Sequence, residues 1–167
     1  NLSKTSELDA TNLFNSKPII LDKNKLVIAA ENLLHILNSD TGSQISTLNI
    51  SSLINPVISG EKLFVITNKN LLVCIDLKNG NIIYSIDIDE KIANYLDTKK
   101  KSLAVKTFSL LNNNVFIFLN NSYFIELNLY GEIKSIKKLP KKIKSELLFI
   151  NSSIVYVDNK NKLVIID

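Results

Sequence analysis

Apolar residues in this chain fall into short runs separated by polar stretches, and the runs return at a fixed interval. The first cycle reads Pro18-Ile19-Ile20-Leu21, then Leu26-Val27-Ile28, then Leu33-Leu34-His35-Ile36-Leu37-Asn38, and closes on Asp40-Thr41-Gly42. The second reads Pro56-Val57-Ile58, then Leu63-Phe64-Val65, then Leu71-Leu72-Val73-Cys74-Ile75-Asp76, and closes on Asn79-Gly80. The step from Pro18 to Pro56 equals the step from Gly42 to Gly80. A looser third cycle runs from Val115-Phe116-Ile117-Phe118 through Tyr123-Phe124-Ile125-Glu126-Leu127-Asn128 to Gly131. A fourth, Ile154-Val155-Tyr156-Val157 and Leu163-Val164-Ile165-Ile166, stops at Asp167. The step from Leu127 to Ile166 is close to the first spacing, but the step from Ile75 to Leu127 is clearly longer. An insertion therefore separates the second and third cycles.

Each cycle predicts four short strands. Ile, Val, Leu and Phe dominate the runs, and Asn, Asp, Gly, Lys and Ser punctuate them as hairpin turns require. Runs such as Leu63 to Ile66 are apolar at successive positions, which suits a strand buried on both faces rather than one with a wet face. A fixed period is the signature of a repeat architecture, in which each cycle is one supersecondary unit that buries its faces against its neighbours.

The order of apolar strand, then Asp or Asn, then Gly appears as Ile36-Leu37-Asn38 to Gly42, Cys74-Ile75-Asp76 to Gly80, and Glu126-Leu127-Asn128 to Gly131. It resembles the repeat of quinoprotein-like propellers, the pyrroloquinoline-quinone type, over residues 17–167. That family commonly places Trp four residues after the Gly, docked between blades; this chain has Ser46, Tyr84 and Ser135 there, and only Tyr84 could substitute. The predicted fold is all-β: a β-propeller of about four four-stranded blades, either a partial propeller or half of a longer ring. Residues 1–16 are a lead-in segment and a candidate closing strand. Blade 1 is expected at 17–54, blade 2 at 55–88, an inserted loop at 89–105, blade 3 at 106–144, and an incomplete blade 4 at 145–167. A half-ring would expose apolar blade faces, which self-association into a complete ring would hide.

Composition narrows the function classes. Twenty basic residues, all Lys, against 16 acidic ones give a formal charge of +4. Without Arg, which supplies bidentate base contacts, a nucleic-acid partner is not expected. No apolar run approaches the ~18 residues of a membrane-spanning helix. The chain starts at Asn1 without a signal-peptide pattern and is read as a mature or excised segment, its targeting information removed.

Candidate chemistry is sparse. His35, the one histidine, is expected to be a structural strand residue. Cys74, the one cysteine, sits where other cycles place Ile and is expected to be buried and inert. Glu126 occupies that same position and is expected to reach solvent, the alternative being a buried pair or a channel-facing site. Asn38, Asp40, Asp76 and Asn128 stand at strand-to-turn corners, where their side chains bond turn backbone. No EF-hand-like spacing and no zinc ligand set exists. Two lysine clusters read as loops: Lys99, Lys100 and Lys101 in the insertion, and Lys137, Lys138, Lys141, Lys142 and Lys144 around Pro140. They are a solvated surface or the contact for an acidic partner or anionic surface. Within the insertion, Ile92, Tyr95 and Leu96 have the spacing of one helical turn. Long inserted loops on repeat scaffolds often carry function, so the insertion and the lysines Lys99 to Lys101, Lys137, Lys138, Lys141 and Lys142 are the candidate partner contact.

Within the propeller family, the chain is most similar to the BamB-like group of outer-membrane assembly lipoproteins. That resemblance implies a non-enzymatic scaffold without cofactor, exported to the bacterial envelope and either periplasmic or associated with the outer membrane. It further implies a protein partner among outer-membrane β-barrel assembly components, and contact with membrane only through a lipid anchor upstream of Asn1. The alternative is a sensor propeller that binds a small molecule or carbohydrate. A fragment of a quinone-dependent dehydrogenase is more remote: that chemistry needs a stacked cofactor, a metal and a catalytic carboxylate, and the chain has no Trp, no Arg and no cysteine pair.

Overall fold

The computed structural model describes residues 18–30, 32–150 and 153–166. Among these described residues lie four antiparallel sheets, each made of strands consecutive in sequence. The first holds β1 (Ile20–Asp22), β2 (Lys25–Ala30), β3 (Leu33–Asn38) and β4 (Gln44–Leu48). The second holds β5 (Val57–Ser59), β6 (Lys62–Ile66), β7 (Leu71–Asp76) and β8 (Ile82–Asp87). A helix, α1 (Ile88–Tyr95), follows. The third sheet holds β9 (Val105–Leu111), β10 (Asn114–Leu119), β11 (Tyr123–Asn128) and β12 (Ile133–Lys138). The fourth has three strands, β13 (Leu148–Ile150), β14 (Ser153–Val157) and β15 (Leu163–Ile166). The chain divides into two compact units, Asn1–Ile88 and Asp89–Asp167. The closing strand expected from residues 1–16 lies outside the described residues.

The Asp/Asn-to-Gly signature builds one turn three times. Asn38 Oδ1 accepts from the backbone N–H of Asp40 at 2.9 Å and of Thr41 at 3.1 Å. Asp76 Oδ1 accepts from Lys78 N at 2.8 Å, and Asn128 Oδ1 from Tyr130 N at 2.9 Å. The glycine then returns its N–H to the same residue's carbonyl: Gly42 to Asn38 at 2.8 Å, Gly80 to Asp76 at 2.7 Å, Gly131 to Asn128 at 3.0 Å. Just before each turn the strand register shifts, between Ile36 and Leu37, Cys74 and Ile75, and Glu126 and Leu127. Such bulges twist the strand and re-aim the chain. The periodic motif is thus a turn and bulge that end β3, β7 and β11 alike.

In the first unit the core is aliphatic. Val27, Ala29, Leu34 and Ile36 of the first sheet pack with Leu63, Val65, Val73 and Ile75 of the second. The alternate residues Ile28, Ala30 and Leu37, and Phe64, Ile66, Leu72 and Cys74, are buried too. Both faces of β2 and β6 are dry, which explains their unbroken apolar runs.

In the second unit the core is aromatic. Phe118, Phe124, Leu139, Ile143, Ile154 and Tyr156 cluster, with Phe116 and Phe149 packed against them. The rings of Phe118 and Phe124 stack at 5.6 Å, and Phe116 meets Phe149 at 5.7 Å. The Tyr156 hydroxyl, buried with its ring, donates to the Lys141 carbonyl at 2.8 Å. The other face of the fourth sheet leaves Leu148, Ile150, Leu163 and Ile165 exposed.

The position where the repeat family commonly carries Trp is met in three ways. Ser46, paired with Ile36, lies against Gly80 in the turn after β7, so closely that a Cβ on Gly80 would overlap the serine side chain. Tyr84 lies opposite Cys74, and burial pushes its phenol up, with the Cys74 sulfur beside it adding to the shift. Ser135 lies opposite Glu126 and donates from Oγ to its Oε2 at 3.2 Å.

Candidate partner-binding site

Short helices form in water only with help from tertiary packing, and α1 has that help. Ile88 and Ile92, one turn apart, are buried, as are Asp89 and Ala93. Asp89 and Glu90 lie in the first turn, where carboxylates favour the helix dipole. The helix ends in a Schellman motif. Thr98 N donates to Ala93 O at 2.9 Å and Asp97 N to Asn94 O at 3.4 Å, with Asp97 in the left-handed region at φ 50°. The insertion expected as a loop with one helical turn is therefore an eight-residue helix closed by a C-cap. Its buried stripe is Ile88, Asp89, Ile92 and Ala93; Tyr95 and Leu96 are each half exposed. The spacing of Ile92, Tyr95 and Leu96 thus does not define the packed face: burial follows Ile88, Asp89, Ile92 and Ala93, which turns Tyr95 outward, while Leu96 N still donates to Ile92 O at 3.0 Å.

The chain after α1 folds back on it. Asp89 Oδ1 accepts from Leu103 N at 3.1 Å, and Asn120 N donates to Ala104 O at 2.9 Å, fixing this segment to the third sheet. Between segment and sheet lies a cavity of about 410 Å³. Ile92, Ala93, Leu96 and Leu103 line it from the insertion, and Leu119, Tyr123, Ile125 and Ile136 from the third sheet. Lys99 and Lys101, both exposed, also line it and mark its open side. Lys138 Nζ lies 5.9 Å from the centre of the Tyr123 ring, a cation–π distance.

Of the candidate contact residues, the structure gathers Ile92, Leu96, Lys99 and Lys101 around this cavity, with Lys138 beside it. Tyr95 and Lys100 are outside the lining, and so are Lys137, Lys141 and Lys142. Lys137 and Lys138 are not in a loop: they end β12, the edge strand of its sheet, where lysines discourage stray pairing. Ala93, Leu103, Leu119, Tyr123, Ile125 and Ile136 are not legible as site residues in the sequence. Those in the sheet read as ordinary repeat positions, and only their closeness to the insertion makes them a wall.

The remaining candidates are structural. His35 is 1% exposed and shares a 2.9 Å hydrogen bond between Nδ1 and Thr47 Oγ1. Its Nε2 has no partner among the described residues, and burial lowers its pKa. Cys74 is buried, and burial pushes its thiol up, away from the reactive thiolate. Glu126 does not simply reach solvent. It is half-buried on β11 and accepts from Asn114 Nδ2 at 3.0 Å as well as from Ser135. The two neighbouring strands flank it, so the carboxylate takes their side-chain donors in place of water. Among the described residues no three or more His, Cys, Asp and Glu side chains group as metal ligands. No described helix is long and apolar enough to cross a membrane.

A family model described as outer membrane protein assembly factor BamB matches residues 3–86 and 29–167. The chain belongs to this family. Its fold is that of BamB from Moraxella catarrhalis, at TM-score 0.70 and 13% identity over 90% of this chain and 44% of that one. The chain thus spans less than half the length of that BamB. A computationally designed protein, Ika4, matches at TM-score 0.63 and 9% identity over 90% of this chain and 89% of its own. Quinohemoprotein alcohol dehydrogenase from Comamonas testosteroni matches at TM-score 0.57 and 14% identity over 76% of this chain and 22% of that one. No curated protein sequence matches significantly. This BamB-family chain is a partial β-propeller of the pyrroloquinoline-quinone repeat type, and its four sheets are the blades.

Proposed function

We propose that this chain is a non-catalytic propeller scaffold that holds a protein partner in the bacterial envelope, in the assembly of outer-membrane β-barrel proteins. The observation that carries this reading is the family match, whose two segments together reach from residue 3 to residue 167. The insertion supports it. A helix and a tied-down loop build an apolar cavity edged by lysines beside a four-stranded blade, the kind of anchored irregular segment on which repeat scaffolds present contacts. The partner is a component of the barrel-assembly machinery, and the contact runs through residues 89–105 with Lys137, Lys138, Lys141 and Lys142 at its margin. Affinity capture of the full-length protein from gently solubilised envelope, read by mass spectrometry, tests this. Enrichment of a barrel-assembly component is expected; capture that recovers other envelope proteins and no such component contradicts it.

A further inference from the structure

The cavity beside α1 has a composition that selects its occupant. Its walls are apolar, with Leu96 and Leu103 from the insertion and Tyr123, Ile125 and Ile136 from the third sheet. Its one lining carboxylate, Asp89, is buried and accepts a hydrogen bond from Leu103 N. Three lysines, Lys99, Lys101 and Lys138, stand in or beside the lining, and no ion pair involving them is formed among the described residues. A complementary ligand is apolar at its centre and carries more than one anion on its flanks. A fatty acid offers a single carboxylate to three cations, whereas an acidic peptide offers several.

We propose that this cavity binds one large apolar side chain of an acidic peptide segment, with the flanking carboxylates on Lys99, Lys101 and Lys138. The proposal deepens the scaffold reading and rests on it. The apolar side chain supplies affinity by leaving water. The lysines supply selection and speed of encounter, weakening as salt rises.

The test uses the folded chain and the fluorescein-labelled peptide Glu-Asp-Phe-Asp-Glu, read by fluorescence anisotropy. Saturable binding is expected, displaced by unlabelled peptide and weakened at least tenfold when the central Phe is replaced by Ala. A peptide with Lys in place of the acids is expected not to bind. The double variant K99E/K101E is expected to weaken binding at least tenfold. Leu96→Asp, at a half-exposed wall position that tolerates charge, is expected to do the same while leaving the circular dichroism spectrum unchanged. No saturable binding, equal binding of the Phe and Ala peptides, or binding unmoved by both variants overturns the proposal. Dodecanoate binding there in place of the peptide, or self-association of the chain abolished by Leu96→Asp, also overturns it by assigning another occupant. Envelope capture separates the two claims. A barrel-assembly component retained equally by wild type and K99E/K101E removes the cavity proposal and leaves the scaffold reading, and its absence from the wild-type capture removes the scaffold reading.

Discussion

The two compact units use the same four-stranded repeat to different ends. The first is regular: two complete four-stranded sheets of the same strand order, an aliphatic core, and a serine packed on a glycine in the turn after β7. The second departs at three places. It carries α1 and the loop after it, it fills its core with Phe and Tyr, and it sets Glu126 at a position held by Ile36 and Cys74 in the first. The regular unit offers packing and turns and little else. The cavity lies where the repeat is broken, because only an insertion can place side chains over a blade that the repeat itself does not supply.

The contrast is broken most severely in the aromatic core. Phe118 is fully buried and stacked on Phe124, so Phe118→Ala is expected to cost about 4 kcal/mol. Ile36→Val in the aliphatic core is expected to cost about 1 kcal/mol. Urea denaturation of both variants checks the difference. A loss for Phe118→Ala no larger than that for Ile36→Val would contradict the full burial of the Phe118 ring.

The glycine contact of the first unit comes next. Gly80 and Gly42 have nearly the same backbone, at φ 75° and 69°, but only Gly80 is crowded by Ser46. Gly42→Ala meets the strain of the left-handed conformation alone, about 1 kcal/mol. Gly80→Ala adds the overlap and is expected to cost about 3 kcal/mol. In a Ser46→Gly background the excess at Gly80 should vanish, as a double-mutant cycle would read.

His35 predicts a pH dependence. Its folded pKa is lowered by burial from the ordinary 6.5, so the unfolded chain binds a proton first as pH falls. Its neutral form is favoured in full above 6.5, and stability is lost as pH drops below 6.5 toward the folded value. Melting at pH 7.5 and 5.5 should show a loss in wild type that His35→Val reduces. Removing the buried Nε2 should also add on the order of 1 kcal/mol at neutral pH. The smallest effect belongs to the helix cap: Asp97→Gly relieves a left-handed residue and should stabilise by about 0.5 kcal/mol.

The strands and turns are legible in the sequence because they repeat. The Asp/Asn-to-Gly spacing encodes a turn and bulge by side-chain and glycine chemistry alone, so Asn38, Asp76 and Asn128 announce their corners. The helix is half legible. Ile92, Tyr95 and Leu96 give one turn, but the buried positions are Ile88, Asp89, Ile92 and Ala93; so short a helix has too few turns for a clear period, and the C-cap uses Asp97 where sequence would look for Gly. The cavity is legible on one side only. Ile92, Leu96, Lys99 and Lys101 stand out as departures from the repeat, while Tyr123, Ile125 and Ile136 obey it and become a wall only through tertiary contact. Lys137 and Lys138 mislead as loop residues because a charged edge strand and a loop share a composition.

If the scaffold works as proposed, the cavity edge of the second unit meets a protein of the barrel-assembly machinery. Site-specific photo-crosslinking of the full-length protein in cells tests this most directly, with the photoreactive residue at position 96 or, on the regular unit, at exposed position 78. An adduct with a barrel-assembly component from position 96 and none from position 78 is the predicted result. An adduct from position 78 alone, or no adduct with any such component from position 96, would contradict it.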